Sequence, residues 1–250
     1  MSVVSHLLAP NPGPMTLEGT NTWVLRSGPG TRSVVVDPGP LDRGHLDAVR
    51  EAAGDVAVVL LTHRHADHSE GATDFAASVG CAVRAVDPAF RVGDEGLDDG
   101  EVIEVDGLEI SVVATPGHTS DSVSFLVLDD GSLLTGDTVL GRGTSVVAHP
   151  DGQLGPYLGS LRRLRDLAAR GAATVLLPGH GPVCEDPAVV LEGYLTHRAE
   201  RLEMVRAAVA AGATTPRAVV ETVYADVDRS VWPAAERSVA AQLDYLSAGG

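Results

Sequence analysis

A chain of 250 residues, 44% of them hydrophobic, suffices for one large core and a small appendage. Its net charge of −16, with all 18 basic residues arginine, excludes a general attraction to phosphate backbones or anionic membranes. The two cysteines, Cys81 and Cys184, lie far apart and exclude a disulfide framework, and no apolar run reaches the length of a membrane span. Met1 to Met15 lacks a basic start and a long apolar stretch, so a reducing cytoplasm is the expected location.

In chain order, the proline-rich residues 9–14 predict a loop. Residues 20–26 and 33–37 predict a hairpin across Ser27 to Gly30, the second strand ending in Asp37-Pro38-Gly39. A helix is expected over 42–53 with Asp42 as N-cap. The continuous β-branched run 56–61 reads as a buried strand, followed by a helix over 70–79 and a strand over 80–86. Asp106-Gly107 marks a hairpin of strands 102–105 and 108–114. A further hairpin pairs 122–128 with 132–135. A helix over 157–170 and a strand over 173–177 complete the pattern. From Asp186-Pro187, an N-cap and first-turn pair, the character becomes helical: 188–211, 216–224 and 233–246. The expected division is therefore 1–186 for a catalytic domain and 187–250 for a helical subdomain.

Four of the predicted strands end in turns that present histidine or aspartate. The first carries His63, His65, Asp67 and His68, and the others carry His118, Asp137 and His180. Imidazole and carboxylate form the ligand set of zinc and similar divalent ions, and strand-end loops are where a rigid scaffold assembles sites. Seven candidate ligands exceed the needs of one tetrahedral ion. Two ions fit better: His63, His65 and His118 would hold one, Asp67, His68 and His180 the other, with Asp137 bridging. Such a pair, about 3.5–4 Å apart, shares a water and lowers its pKa. The bridging hydroxide would then be the nucleophile, with Asp67 as the catalytic carboxylate that orients it and accepts its proton.

The order T-H-x-H-x-D-H, P-G-H, G-D, P-G-H-G resembles the metallo-β-lactamase superfamily over about residues 17–184. The resemblance implies an αββα sandwich with a dinuclear, expectedly zinc, centre at one edge. Asp137 stands where the main dizinc β-lactamases carry cysteine, which implies hydroxyacylglutathione hydrolase-like, phosphodiesterase-like or nuclease-like chemistry and not a true β-lactamase. The stretches Pro14 to Thr22, Pro116 to Ser122, Thr135 to Gly141 and Tyr194 to Arg198 are similar to the beta-lactamase-like protein 2 branch of endoribonucleases, whose C-terminal tail is winged-helix-like.

Tyr194, His197, Arg198 and Arg201 share a helix face and would line the mouth of the metal site, ready for an anionic substrate. Asn21, Arg142 and His197 are the expected substrate contacts, with Ser145 beside Arg142. Asp37 would hydrogen-bond a ligand histidine from behind. Residues 187–250 carry six arginines against eight acidic residues, without the basic stripe of a nucleic-acid-binding winged helix. The expected function is therefore hydrolysis of an ester or thioester of a small acyl substrate at two divalent metal ions. Cleavage of single-stranded RNA is the alternative that charge disfavours, and a mono-iron oxidoreductase resembling persulfide dioxygenases is a third. Membrane partners are not expected, and an oligomer is allowed.

Overall fold

The computed structural model describes residues 3–225 and 228–250, so Met1 and Ser2 of the N-terminal stretch lie outside the described residues. Among the described residues, ten strands form two five-stranded sheets. The first sheet contains β1 (Val3–Leu8), β2 (Asn21–Arg26), β3 (Ser33–Val36), β4 (Val56–Leu60) and β5 (Ala82–Arg84), in that spatial order. The second contains β6 (Val102–Val105), β7 (Leu108–Ala114), β8 (Val123–Val127), β9 (Ser132–Gly136) and β10 (Val175–Pro178), ordered β10-β9-β8-β7-β6.

Both faces of the inner strands are buried, and the two-residue period sorts their side chains between two cores. Trp23, Leu25, Val34, Val36, Val58 and Leu60 meet Ile110, Val112, Phe125 and Leu134 between the sheets. The alternate residues Val24, Val35 and Val59 face outward onto Leu46 and Val49 of α1 (Arg43–Ala53) and Phe75 of α3 (Ala72–Val79). Leu126, Leu133 and Leu176 face the other way, onto Tyr157, Leu161 and Leu164 of α4 (Leu154–Ala169) and Leu191 and Tyr194 of α5 (Pro187–Ala210). Helix, sheet, sheet, helix is the expected αββα sandwich.

The expected turn chemistry is present. Asp106 and Gly107 both take positive φ, 49° and 85°, in the hairpin between β6 and β7. Asp42, Asp186 and Thr215 accept the backbone N–H three residues on and cap their helices. Two elements differ from expectation. β1 is an additional edge strand, paired antiparallel to β2 from Val3↔Arg26 to Leu8↔Asn21. The expected helix 70–79 starts two residues later, as α3, and an additional helical turn, α2 (Ala66–Ser69), precedes it, with Gly71 between them. A Cβ on Gly71 would stand 2.9 Å from Pro40 O and from the Leu46 side chain, so this joint must be glycine. Asp67 and His68 are consequently on a helical turn, not in a loop.

Among the described residues, the chain beyond Asp186 holds no strand. Its α-helices are α5, α6 (Pro216–Val223) and α7 (Trp232–Ser247), with a 3-10 turn at Arg229–Val231 leading into α7. α5 belongs to two cores. Its first half buries Leu191 and Tyr194 on the sandwich, and its second half buries Val205 and Ala208 against Val219, Val220, Trp232 and Val239. No helix among the described residues is long and apolar enough to cross a membrane.

Candidate metal centre

β7, β9 and β10 are mutually parallel, so their C-terminal ends share one edge of the second sheet. β4 of the first sheet ends beside them, stitched by Val123 N donating to Thr62 O at 2.8 Å and Asn21 N donating to Gly179 O at 2.7 Å. The turns that follow these four strands therefore converge, and all seven predicted residues meet there. His63, His65, His118 and Asp137 place one donor atom each within 4.8 Å of one another, as do Asp67, His68 and His180.

The spacing suits metal ions. Four donors about 2.0–2.2 Å from one ion at tetrahedral corners stand about 3.3–3.6 Å apart. In the first set, His65 Nδ1 lies 3.0 Å from His63 Nε2 and 3.1 Å from His118 Nε2. In the second, His180 Nε2 lies 3.2 Å from His68 Nε2 and 3.1 Å from Asp67 Oδ2. Asp137 divides its two oxygens between them. Oδ1 is 3.4 Å from both His68 Nε2 and His180 Nε2, and Oδ2 is 3.7 Å from His118 Nε2. Oδ1 is buried without a hydrogen-bond partner among the described residues, a costly state for a carboxylate oxygen unless a cation completes it.

The far nitrogen of four imidazoles is tied down, which orients each ring. His68 Nδ1 donates to Asp37 Oδ2 at 2.8 Å, His118 Nδ1 to Val146 O at 2.8 Å, and His180 Nδ1 to Gly19 O at 3.0 Å. His63 Nδ1 is 3.0 Å from Thr62 Oγ1. Asp37, with a strained φ of 51°, also accepts from Thr62 N and Thr62 Oγ1. Asp37 meets His68 at Nδ1, the nitrogen opposite the one that faces His180 and Asp137, so although Asp37 clusters with His63 and His68, its geometry is that of an orienting partner.

Residues 15–180 match the metallo-beta-lactamase superfamily. The chain belongs to that superfamily. Residues 215–250 match the beta-lactamase associated winged helix domain, which identifies the helices after α5. The chain is 32% identical to a beta-lactamase-like protein 2 homolog of Caenorhabditis elegans, over 99% of its own length and 85% of that protein. It is 36% identical to lactamase-like protein adaB of Aspergillus niger, but spans only 63% of that protein. The crystal structure of a metallo-beta-lactamase family protein from Thermus thermophilus superposes with a TM-score of 0.82 at 25% identity, covering 99% of this chain and 94% of that one.

Electrostatics divides the histidine cluster into two halves. Burial pushes His63 far down and His118 down to about 4, and lowers His65, leaving three neutral donors. Burial also works against charge on His68 and His180, but their carboxylate neighbours outweigh it. Asp137 and Asp37 raise His68 well above its ordinary value, and Asp137 and Asp67 raise His180 to about 9. A histidine raised from 6.5 to about 9 stabilises the metal-free fold fully below pH 6.5 and loses that contribution as pH rises through 9. A metal needs the neutral imidazole, so its apparent affinity is expected to climb between pH 6.5 and 9. Competition titrations against a chelator across that range check this, and a flat profile would contradict it.

The expected substrate residues fall in three different places. Asn21 is 2% exposed, and its Nδ2 donates to Pro178 O and Gly181 O, both at 2.9 Å. Its Oδ1 meets His6 Nε2 at 2.7 Å. Its polar groups are thus spent on holding the turn that carries His180, which corrects the substrate-contact expectation. Asn21→Ala is expected to destabilise the fold by about 2 kcal/mol in urea unfolding. A change confined to KM, with stability intact, would restore a substrate role. Arg142 borders a cavity of about 210 Å³ with His118 and Asp137, and its guanidinium pairs with Glu18 at the rim. His197 lines a neighbouring cavity with Arg198 and Arg201, whereas Tyr194 is buried in the core and accepts the Leu140 N–H at 2.8 Å. The orienting carbonyls of Gly19 and Val146 escaped sequence reasoning, because a backbone acceptor has no residue-type signature.

Proposed function

We propose that the protein is a metal-dependent hydrolase whose centre takes two divalent ions, zinc foremost, and cleaves an ester or thioester of a small acyl substrate. The observation that carries this reading is Asp137, which turns one oxygen toward each of two histidine sets. Ions held there supply Lewis acidity and a water of lowered pKa. His63, His65 and His118 would hold one ion and Asp67, His68 and His180 the other, with Asp137 shared. Asp67 has the most accessible side chain among the second set at 27%, which supports it as the carboxylate that would orient the attacking water and accept its proton. Asp37 keeps the His68 ring aligned throughout. Leu17, Leu140 and Val146 give the cavity over His118 and Asp137 apolar walls suited to an acyl chain.

The net charge of −16 and the acidic excess after residue 187 favour a small substrate over an RNA strand. Metal-loaded wild-type protein is expected to hydrolyse short acyl thioesters, Asp67→Ala to be slower by about 10²–10⁴-fold, and single-stranded RNA to survive both. RNA cleavage that disappears in Asp67→Ala would replace the substrate assignment. Elemental analysis is expected to find two metal ions per chain; a single iron would point to the mono-iron oxidoreductase instead.

A further inference from the structure

A second cavity, of about 250 Å³, lies where the winged-helix end of the chain closes over the sandwich. α5 contributes His197, Arg198 and Arg201, while Tyr224, Val231 and Ala235 close the far side. It runs alongside the cavity over the metal centre, since Pro14, Met15, Thr144, Ser145 and Val146 wall both. Among the described residues, two arginines and a histidine therefore face a space with no acidic residue in its lining, inside a chain of net charge −16.

The two arginines differ from others in the protein. Arg32, Arg84, Arg163 and Arg217 each pair with a carboxylate at 2.6–2.9 Å. Arg198 is 8% exposed and has no carboxylate partner among the described residues. One terminal nitrogen donates to Ser145 O, the guanidinium lies 4.9 Å over the Tyr157 ring, and its buried Nε has no hydrogen-bond partner among the described residues. A buried cation left without a counter-charge is destabilising. Arg201, one turn on along the same face, lies 4.9 Å over the Tyr224 ring and makes two long contacts, 3.5 Å to Val223 O and 3.8 Å to Met204 Sδ. It too lacks a carboxylate partner among the described residues. His197 Nε2 stands 3.5 Å from Thr144 Oγ1 on the wall shared with the metal cavity.

We propose that this cavity is the subsite for an oxyanion, a carboxylate or a phosphate, at the far end of the substrate, so that the centre acts on anionic acyl compounds. Arg201 and His197 contact the oxyanion, and Arg198 supplies the buried charge beneath it. Guanidinium forks suit both carboxylate and phosphate, and the apolar residues Met15, Val146 and Val231 accommodate the segment between the two ends. The winged-helix module is then one wall of a substrate pocket. The identity of the substrate rests on the hydrolase reading above; the binding of the oxyanion does not.

The test uses the metal-loaded full chain with two five-carbon thioesters of one neutral thiol, glutaryl and pentanoyl. Wild type is expected to prefer glutaryl by about tenfold or more in kcat/KM. Arg201→Gln is expected to lose that preference through KM, Arg201→Lys to recover part of it, and Arg206→Gln, on the outer face beside Glu203, to retain it. Equal kcat/KM for the two thioesters in wild type overturns the proposal. Calorimetric titration with glutarate and with inorganic phosphate separates failure of the subsite from failure of the hydrolase reading. Binding at least about tenfold weaker in Arg201→Gln than in wild type supports the subsite even where neither thioester is cleaved, and the tighter of the two anions names the oxyanion. Equal binding in both proteins overturns it even where both thioesters are cleaved. Cleavage of single-stranded RNA that falls in Arg201→Gln, with no preference between the thioesters, also overturns it and assigns the cavity to a nucleic-acid backbone.

Discussion

On the two-ion reading proposed above, Asp137→Asn is expected to reduce the metal content to one ion per chain or none and to lower kcat/KM by about 10³-fold or more. The amide has the same shape, so the change isolates charge and donor chemistry. The carboxylate faces His68 and His180 with Oδ1 and His118 with Oδ2. An amide offers one oxygen for two positions and turns an N–H toward one of the ions. Burial raises the Asp137 pKa, but His68 and His180 outweigh burial and hold it well below the carboxylate range, so the native group is charged wherever the protein works. Asp121→Asn provides the matched control. Asp121 also has a buried oxygen without a hydrogen-bond partner among the described residues, yet its neighbour is Arg64 at 3.9 Å and it stands outside the histidine sets. Elemental analysis and thioester hydrolysis on both variants check the expectation. Full metal content and near-native turnover in Asp137→Asn would remove the bridging role.

Much of this centre was legible because its parts are written in residue types. His63, His65, Asp67, His68, His118, Asp137 and His180 each follow a strand whose period or turn chemistry is plain, and parallel strands ending at one edge bring their loops together. The αββα layering was legible for the same reason: Val34, Val35 and Val36 alternate between two apolar environments, which only a doubly covered sheet supplies. Other features depend on tertiary context. β1 is half exposed at a sheet edge, so its six residues show little contrast between faces. The helical turn of Asp67 and His68 begins at Ala66, inside a motif that reads as a loop, because Ser69 Oγ and the backbone of His68 and Ser69 bond back to His65 O. Asn21 looked like a substrate contact because an amide at a strand entry can face either way, and only the meeting of the two sheets turns it onto Pro178 and Gly181. The unpaired state of Arg198 is a property of what surrounds α5, which no pattern within α5 records.

Gly117→Ala is expected to destabilise the protein by about 3–5 kcal/mol and to weaken metal binding at the set that includes His118. Gly117 has φ of 133°, a region that L side chains rarely adopt. A Cβ there would lie 2.3 Å from both the N and Cα of Tyr157. Those are backbone atoms in the first turns of α4, which cannot swing aside as a side-chain tip would. The approach is also stapled, since Gln153 N donates to Gly117 O at 2.9 Å and Gly117 N donates to Thr119 O at 2.8 Å. Alanine must therefore move α4 away from the turn or rotate the turn itself, and His118 is the next residue. Because Tyr157 is fully buried and its hydroxyl donates to Thr138 O at 2.7 Å, displacement of α4 also disturbs the loop after Asp137. Gly159→Ala, in the same helix, meets nothing within 4 Å and is expected to stabilise by about 0.5–1 kcal/mol through helix propensity alone. Urea unfolding of the two variants, with metal content measured alongside, should therefore give shifts of opposite sign from two glycine-to-alanine changes, one pressed against the backbone of α4 and the other on its open face. Equal shifts would show that the close approach at Gly117 does not hold the His118 turn in place.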